Sequence, residues 1–249
     1  MSIPSKIYTF DESENSVALA KQNINESPDG SVFLVKNLTS AHGRQGRSWK
    51  LYGGQIVVTL LLKPDLKQIS KQDMPIRLTQ LNMAITLGIL SALEKYSVKL
   101  KWPNDFMIEH KKVGGMIVEL VWSGSELHGI VVGFSINVNN IFEHTDELYE
   151  IATSLKQSLN KNFDINELQE KILKSIDDFY KKWKSCEFDQ IFNLWREKQF
   201  YKNKIIQIHQ KDGSLISGLF HDVLPSGELV LQQGNEEIII PFYLVEQIK

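Results

Sequence analysis

The period of apolar and polar positions changes several times along the chain, and each change predicts an element. Residues 31 to 37 (SVFLVKN) and 55 to 63 (QIVVTLLLK) are short runs rich in β-branched and other apolar residues, the composition of buried strands. The polar, glycine-containing stretch between them is predicted as a loop at a sheet edge. From Asp73, with Pro75 in the first turn, Leu78, Leu81, Ile85, Ile89 and Leu93 recur at three- and four-residue spacing. That spacing predicts a helix laid on one face of a sheet. Val98-Lys99-Leu100-Lys101 alternates with the period of a strand, and Pro103 with Asn104-Asp105 interrupts it, so Lys101 is predicted at a strand end.

Residues 105 to 109, 112 to 122 and 126 to 139 read as an antiparallel meander with turns at His110-Lys111 and Ser123-Gly124-Ser125. Asp164 and Glu167 have the spacing of a capping box, ahead of a helix whose face is Leu168, Ile172, Ile176, Phe179 and Trp183. After Tyr201 the helical period disappears. Residues 203 to 249 hold short strands and the tight turns Asp212-Gly213, Pro225-Ser226-Gly227 and Gly234-Asn235, the pattern of a small β-barrel. The expectation is an α+β fold, a mixed or antiparallel sheet covered by helices. It divides into residues 1–200, carrying the chemistry, and a small β domain at 201–249.

Composition narrows the function. With 249 residues and 42% hydrophobic content the chain can bury a sizeable core. Its 28 Lys+Arg nearly balance 30 Asp+Glu, so no broad positive field favours non-specific nucleic-acid binding, and a bound anion must be held locally. Cys186 is the only cysteine, which excludes an internal disulfide and fits a reducing compartment. Neither a basic region followed by an apolar run at the N-terminus nor a long apolar stretch is present, so a cytoplasmic protein without a membrane partner is expected.

Two segments carry candidate chemistry: His42-Gly43-Arg44-Gln45-Gly46-Arg47-Ser48-Trp49 and Lys101-Trp102-Pro103-Asn104-Asp105. Gly43 and Gly46 let the backbone turn and bring N–H groups close to an anion. Arg44 and Arg47 add planar forks that clamp phosphate or carboxylate. A solvated connection with two incidental arginines is the plainer alternative. The GxxxxGK[ST] and GxGxxG patterns are absent. Lys101 can neutralise charge developing on a phosphate and a reacting carboxylate where water is excluded, although an isolated strand lysine usually faces solvent. Trp102 reads as a core or platform residue rather than a catalytic one. The six histidines show no HExxH or comparable spacing, so no metal site is predicted. Ser13 and Ser48 lack a nucleophile elbow, and Ser13 reads as a helix cap.

The two segments together resemble a known family. HGRQGRSW is similar to the GRGRxGRxW loop of biotin protein ligases, and KWPND matches that family's peptide letter for letter. Lys112-Val113-Gly114-Gly115-Met116-Ile117-Val118-Glu119 resembles its K-L/V-A/G-G-I-L-V-E strand, and Gly133-Phe134-Ser135-Ile136-Asn137-Val138-Asn139 its G-I-G-I-N-V-N. Ala152-Thr153-Ser154-Leu155 is similar to A-T-S-L, and Glu12-Ser13-Glu14-Asn15 to D-S-T-N. The resemblance implies a class II synthetase-like biotinyl/lipoyl ligase core with a C-terminal SH3-like barrel. It implies an enzyme that joins biotin to AMP from ATP and Mg2+, releases pyrophosphate, and passes the biotinyl group to a lysine of the biotin carboxyl carrier protein or domain of acetyl-CoA carboxylase. Lys101 and Arg44 would be catalytic. Ser13, Glu14, Asn15, Leu38, His42, Gly43, Arg44, Lys101, Gly115, Gly133 and Ser135 would surround biotin. Arg44, Gly46, Arg47, Trp49, Asn104, Lys112 and Asn137 would face ATP. Repressor members carry an N-terminal helix-turn-helix domain whereas this chain starts almost at the core, so a short form without DNA binding is expected; a homodimer stays open.

The chain departs from the family pattern at four places. Leu38 stands for glutamine, Ala41-His42 for the loop's first Gly-Arg, Glu14 for threonine in D-S-T-N, and Ser135 for the second glycine of G-x-G-I-N. Leu38 offers no hydrogen bond, whereas the His42 ring can donate or accept one. A lipoate-type ligase and a non-catalytic biotin-binding module are the two alternatives.

Overall fold

The computed structural model describes residues 2–66, 69–70 and 72–249. In chain order the elements are β1 (Lys6–Ser13), α1 (Ser16–Gln22), β2 (Ser31–Leu38), β3 (Gln55–Leu62), α2 (Met74–Ala92), β4 (Lys99–Lys101), β5 (Asp105–Ile108), β6 (Lys111–Ser123) and β7 (Glu126–Asn137). They continue with α3 (Leu155–Leu159), α4 (Ile165–Lys184), α5 (Phe188–Glu197), β8 (Ile205–Gln210), β9 (Leu215–Val223), β10 (Leu229–Gln233), β11 (Glu236–Ile240) and β12 (Val245–Ile248).

The first seven strands form one sheet in the order β1-β2-β3-β7-β6-β5-β4. Only the β1–β2 pair is parallel, so the sheet is mixed. Because side chains alternate across a strand, its two faces have separate fates. Ile56, Val58, Leu60 and Leu62 of β3 with Val132, Phe134 and Ile136 of β7 join α2 and α4 in the main core. There Gly88 of α2 lies so near α4 that a Cβ would come within 2.5 Å of the Ile176 Cα, so the close crossing requires glycine. On the opposite face Phe33, Leu61 and Val131 pack with Ala20 and Ile24, and the short α1 covers only part of the sheet. The remaining open part of that face is the candidate site.

The last five strands form a separate antiparallel sheet in the order β11-β10-β9-β8-β12, compatible with an SH3-like barrel. Gly213, Gly227 and Gly234 at its tight turns all have positive φ. The two sheets are tied by the Trp102 indole, buried at 2% exposure, whose Nε1 donates to the Gly227 carbonyl at 2.9 Å. Backbone bonds from Leu100 N to Lys198 O and Phe200 N to Leu100 O fasten the connecting segment beside β4.

Two local expectations are corrected. The glycine-arginine loop joins β2 and β3, which are interior strands; the sheet edges are β1 and β4. The cap of α1 is Asn15, whose Oδ1 accepts from Val17 N and Ala18 N, while Ser13 ends β1. Because β1 runs through Ser13, the cap position falls on Asn15, whose carbonyl oxygen reaches two free N–H groups of the first turn. Asp164 accepts from the N–H groups of Asn166 and Glu167 and so caps α4.

Candidate active site

Strand register builds the floor of the site. Lys101 pairs with Asp105, Asp105 with Gly115, Gly115 with Ser135, and Ser135 with Val57, a single row crossing five strands. The next row on the same face runs Ile117, Gly133, Thr59 and Phe33. Gly115 and Gly133 leave a trough between bulkier neighbours, and a Cβ on Gly133 would stand 3.1 Å from Val17 Cγ2. Above this floor lies a cavity of about 540 Å3, of ordinary size for a small-molecule site.

The glycine-arginine loop forms one wall. Gly43 N donates to Arg47 O at 2.7 Å, Trp49 N donates to Ala41 O at 2.9 Å, and a single 3-10 turn spans Arg44–Gly46. Gly46 has φ +72°, a conformation costly for any side chain. Arg44 Nη1 donates to Asn104 Oδ1 at 3.3 Å, and Asn104 Nδ2 in turn donates to Met116 O at 2.7 Å, so Asn104 links loop to β6. The chain from the turn after β11 into β12 meets the same wall. Arg44 Nη2 donates to Phe242 O at 3.3 Å and Arg47 Nη2 to Glu246 O at 3.1 Å. Both carbonyls are neutral acceptors, which hold the two guanidinium groups in place at the wall.

Cationic side chains converge on the cavity from three segments: Arg44 and Arg47, Lys101, and Lys112. Lys112 is ion-paired to Asp105 at 2.6 Å and lies 5.1 Å from the Trp49 ring. Lys101 is half-buried, with Nζ 5.6 Å from the Tyr201 ring centroid. Burial pulls the Lys101 ammonium below the ordinary lysine value; Asp105 opposes this shift and Lys112 adds to it. Burial likewise lowers the Arg44 guanidinium, again opposed by Asp105, and raises the Tyr201 phenol. A buried cation with incomplete compensation is suited to an anionic ligand or a developing negative charge.

Among the residues expected from sequence, Asn15, Leu38, His42, Gly43, Arg44, Arg47, Trp49, Lys101, Asn104, Lys112, Gly115, Gly133 and Ser135 line this cavity. Ser13, Glu14, Gly46 and Asn137 do not. Ser13 and Glu14 act through their backbone, accepting from Thr39 N and Ser40 N and so joining the end of β1 to the loop. Gly46 lines an adjoining, more apolar cavity of about 1670 Å3. Asn137 is buried at 2% exposure, donating to Thr153 O at 3.0 Å and accepting from Gln55 Nε2 at 2.8 Å, so it braces the wall from behind.

Sequence reasoning missed Ser16, Thr59 and Tyr201. Ser16 and Thr59 share a 2.8 Å hydroxyl–hydroxyl bond in the cavity wall. Thr59 had a signal, as the one polar residue inside the apolar run IVVTLLL. Two buried polar atoms of the wall, Ser135 Oγ and Trp49 Nε1, have no hydrogen-bond partner among the described residues.

The chain is similar to known proteins in sequence and fold. The pattern of the Biotin/lipoate A/B protein ligase family matches residues 7–137. The bifunctional ligase/repressor BirA of Bacillus spizizenii is 31% identical over 173 residues, which is 69% of this chain and 52% of that protein. The chain thus spans about half the length of the first curated relatives it matches. The biotin–[acetyl-CoA-carboxylase] ligase of Mycobacterium tuberculosis is 23% identical over 236 residues, 92% of this chain and 83% of the relative. The structure of biotin protein ligase from Aquifex aeolicus in complex with biotin and ATP superposes with a TM-score of 0.82 at 24% identity, covering 98% of this chain and 99% of the other.

Proposed function

The chain belongs to the Biotin/lipoate A/B protein ligase family, and from that premise we propose that it activates biotin with MgATP and transfers the biotinyl group to a lysine of a biotin carboxyl carrier protein or domain. The observation that carries this reading is the convergence of Lys101, Arg44, Arg47 and Lys112 on one trough whose floor is the row from Lys101 to Val57. A site that joins a carboxylate to a phosphate must bring two anions together, and fixed cations in a partly dry cavity offset their repulsion.

In the first step a biotin carboxylate oxygen attacks the α-phosphorus of ATP, and the bond to the bridging oxygen breaks as pyrophosphate leaves. Lys101, at the strand end, neutralises charge between carboxylate and α-phosphate. Arg44 and Arg47 exchange the carbonyl acceptors of Phe242 and Glu246 for phosphate oxygens, a stronger charge-assisted contact. Lys112 and Trp49 face the nucleotide. In the second step the neutral ε-amine of the carrier lysine attacks the acyl carbon, AMP departs, and the amine's proton is lost. Asn15, Leu38, His42, Gly115, Gly133 and Ser135 surround the acid. We take residues 1–200 as the unit that supplies the reacting groups and 201–249 as the one that closes the arginine wall.

The reaction fits the cytoplasm, where carrier and ATP meet and where the free, exposed Cys186 stays reduced. No described helix is long and apolar enough to cross a membrane.

The test is pyrophosphate release from protein, ATP and Mg2+ with biotin or lipoate, followed by mass spectrometry of an added carrier domain. Release with biotin and a carrier mass gain of one biotinyl group are expected. Preference for lipoate would assign the lipoate-type reaction, and release with neither acid would leave a binding module.

A further inference from the structure

We propose that Ser135 is a specificity-determining residue of this site, its hydroxyl pairing with a polar atom of a cyclic urea head on the acid. The inference rests on the adenylating reading above and adds the group that selects the acid.

Ser135 is 7% exposed and its Oγ has no hydrogen-bond partner among the described residues, yet the residue lines the cavity. A buried hydroxyl without a partner is costly, and native structures seldom keep one except where a ligand or water completes it. Its cross-strand neighbours, Gly115 and Val57, offer no polar side-chain atom. Nearby wall groups are already engaged: Ser16 with Thr59, Asn15 Oδ1 with two N–H groups of α1, and Lys112 with Asp105. Leu38, where the family pattern has glutamine, has nothing to donate or accept. The hydrogen-bonding capacity that Leu38 lacks is present at Ser135, where the pattern has glycine.

Position along the row supports the same assignment. Lys101 and Ser135 are separated by three strand-to-strand steps, about 14 Å between backbones. An extended acid whose carboxylate faces Lys101 therefore lies over Gly115 and brings its far end to Ser135. A urea presents a carbonyl acceptor and N–H donors, and a hydroxyl can pair with either. A dithiolane ring presents only weakly accepting sulfurs, so the same hydroxyl discriminates against it.

Calorimetric titrations of biotin, lipoate and MgATP into wild type, Ser135→Ala and Ser135→Gly test this. The expected result for S135A is biotin binding weaker by about three- to tenfold, with MgATP affinity within about twofold of wild type and an undiminished melting temperature. S135G should lose no more than S135A beyond about twofold. Biotin affinity unchanged in S135A overturns the proposal, as does a change confined to S135G, which would mean shape alone. Parallel loss of biotin and MgATP affinity would also overturn it by showing a structural role. If wild type releases pyrophosphate with biotin while S135A binds biotin normally, only this inference fails. If wild type neither binds biotin nor releases pyrophosphate with it, the adenylating reading fails and this inference with it.

Discussion

Replacing Lys101 with glutamine separates chemistry from binding. The amide keeps most of the side-chain length and its packing beside the Tyr201 ring while removing the charge. Two unit charges about 4 Å apart interact by about 4 kcal/mol at the effective dielectric of about 20 appropriate to a partly buried pair. Only the part of this that grows between bound substrates and transition state affects the chemical step. Allowing for residual screening by Arg44, Arg47 and Lys112, about 3 kcal/mol remains, or roughly a hundredfold in rate. Lys112 supplies a contrast, since its charge is already paired to Asp105 at 2.6 Å. Lys112→Gln should therefore cost less, about tenfold, and do so largely through nucleotide affinity. The assay is pyrophosphate release at saturating biotin and MgATP, with circular dichroism to verify the fold. The reasoning is refuted if K101Q retains a rate within about threefold of wild type, or if its whole deficit disappears at saturating substrate.

The pH profile follows from the same lysine. Burial lowers its pKa, so the ammonium is present at low pH and is lost, as pH rises, earlier than for an ordinary lysine. The alkaline limb of the adenylation rate should thus fall below the usual lysine range. Asp105→Asn should move it lower still, and an unshifted limb in a pH–rate series on that variant would contradict the assignment. In Trp102→Phe the buried Gly227 carbonyl loses its donor, and stability should drop by about 1–3 kcal/mol in urea denaturation; an unchanged midpoint would show that this bond does not join the two sheets energetically. Leu38→Gln should tighten biotin by about 1 kcal/mol in calorimetry where the amide finds its partners, whereas unchanged affinity would place the ligand away from Leu38.

Much of the architecture was legible because short-range chemistry encodes it. The β-branched runs became β2 and β3, the three- and four-residue spacing became α2 and α4, and the glycine turns after Tyr201 delimit the second sheet. The one misread cap, Ser13 instead of Asn15, shows the limit of this local reading. Both residues suit a cap by type, and where β1 ends decides between them. The loop's place at the end of interior strands was equally hidden, because β1 lies outside β2 by a parallel pairing that no turn announces.

By itself the sequence determined which chemical groups this protein owns: the glycine-arginine loop, a lysine at a strand end, and the departures at Leu38, His42 and Ser135. These are properties of single residues and their immediate neighbours. Tertiary structure alone decided which groups meet. The row from Lys101 through Gly115 to Ser135 and Val57 exists only because strands distant in sequence pair in one register, and a slip of one residue would turn each of these side chains to the opposite face. The carbonyls of Phe242 and Glu246 that receive the arginines could not be foreseen at all, since every residue carries a carbonyl and only the fold selects the two that reach the site.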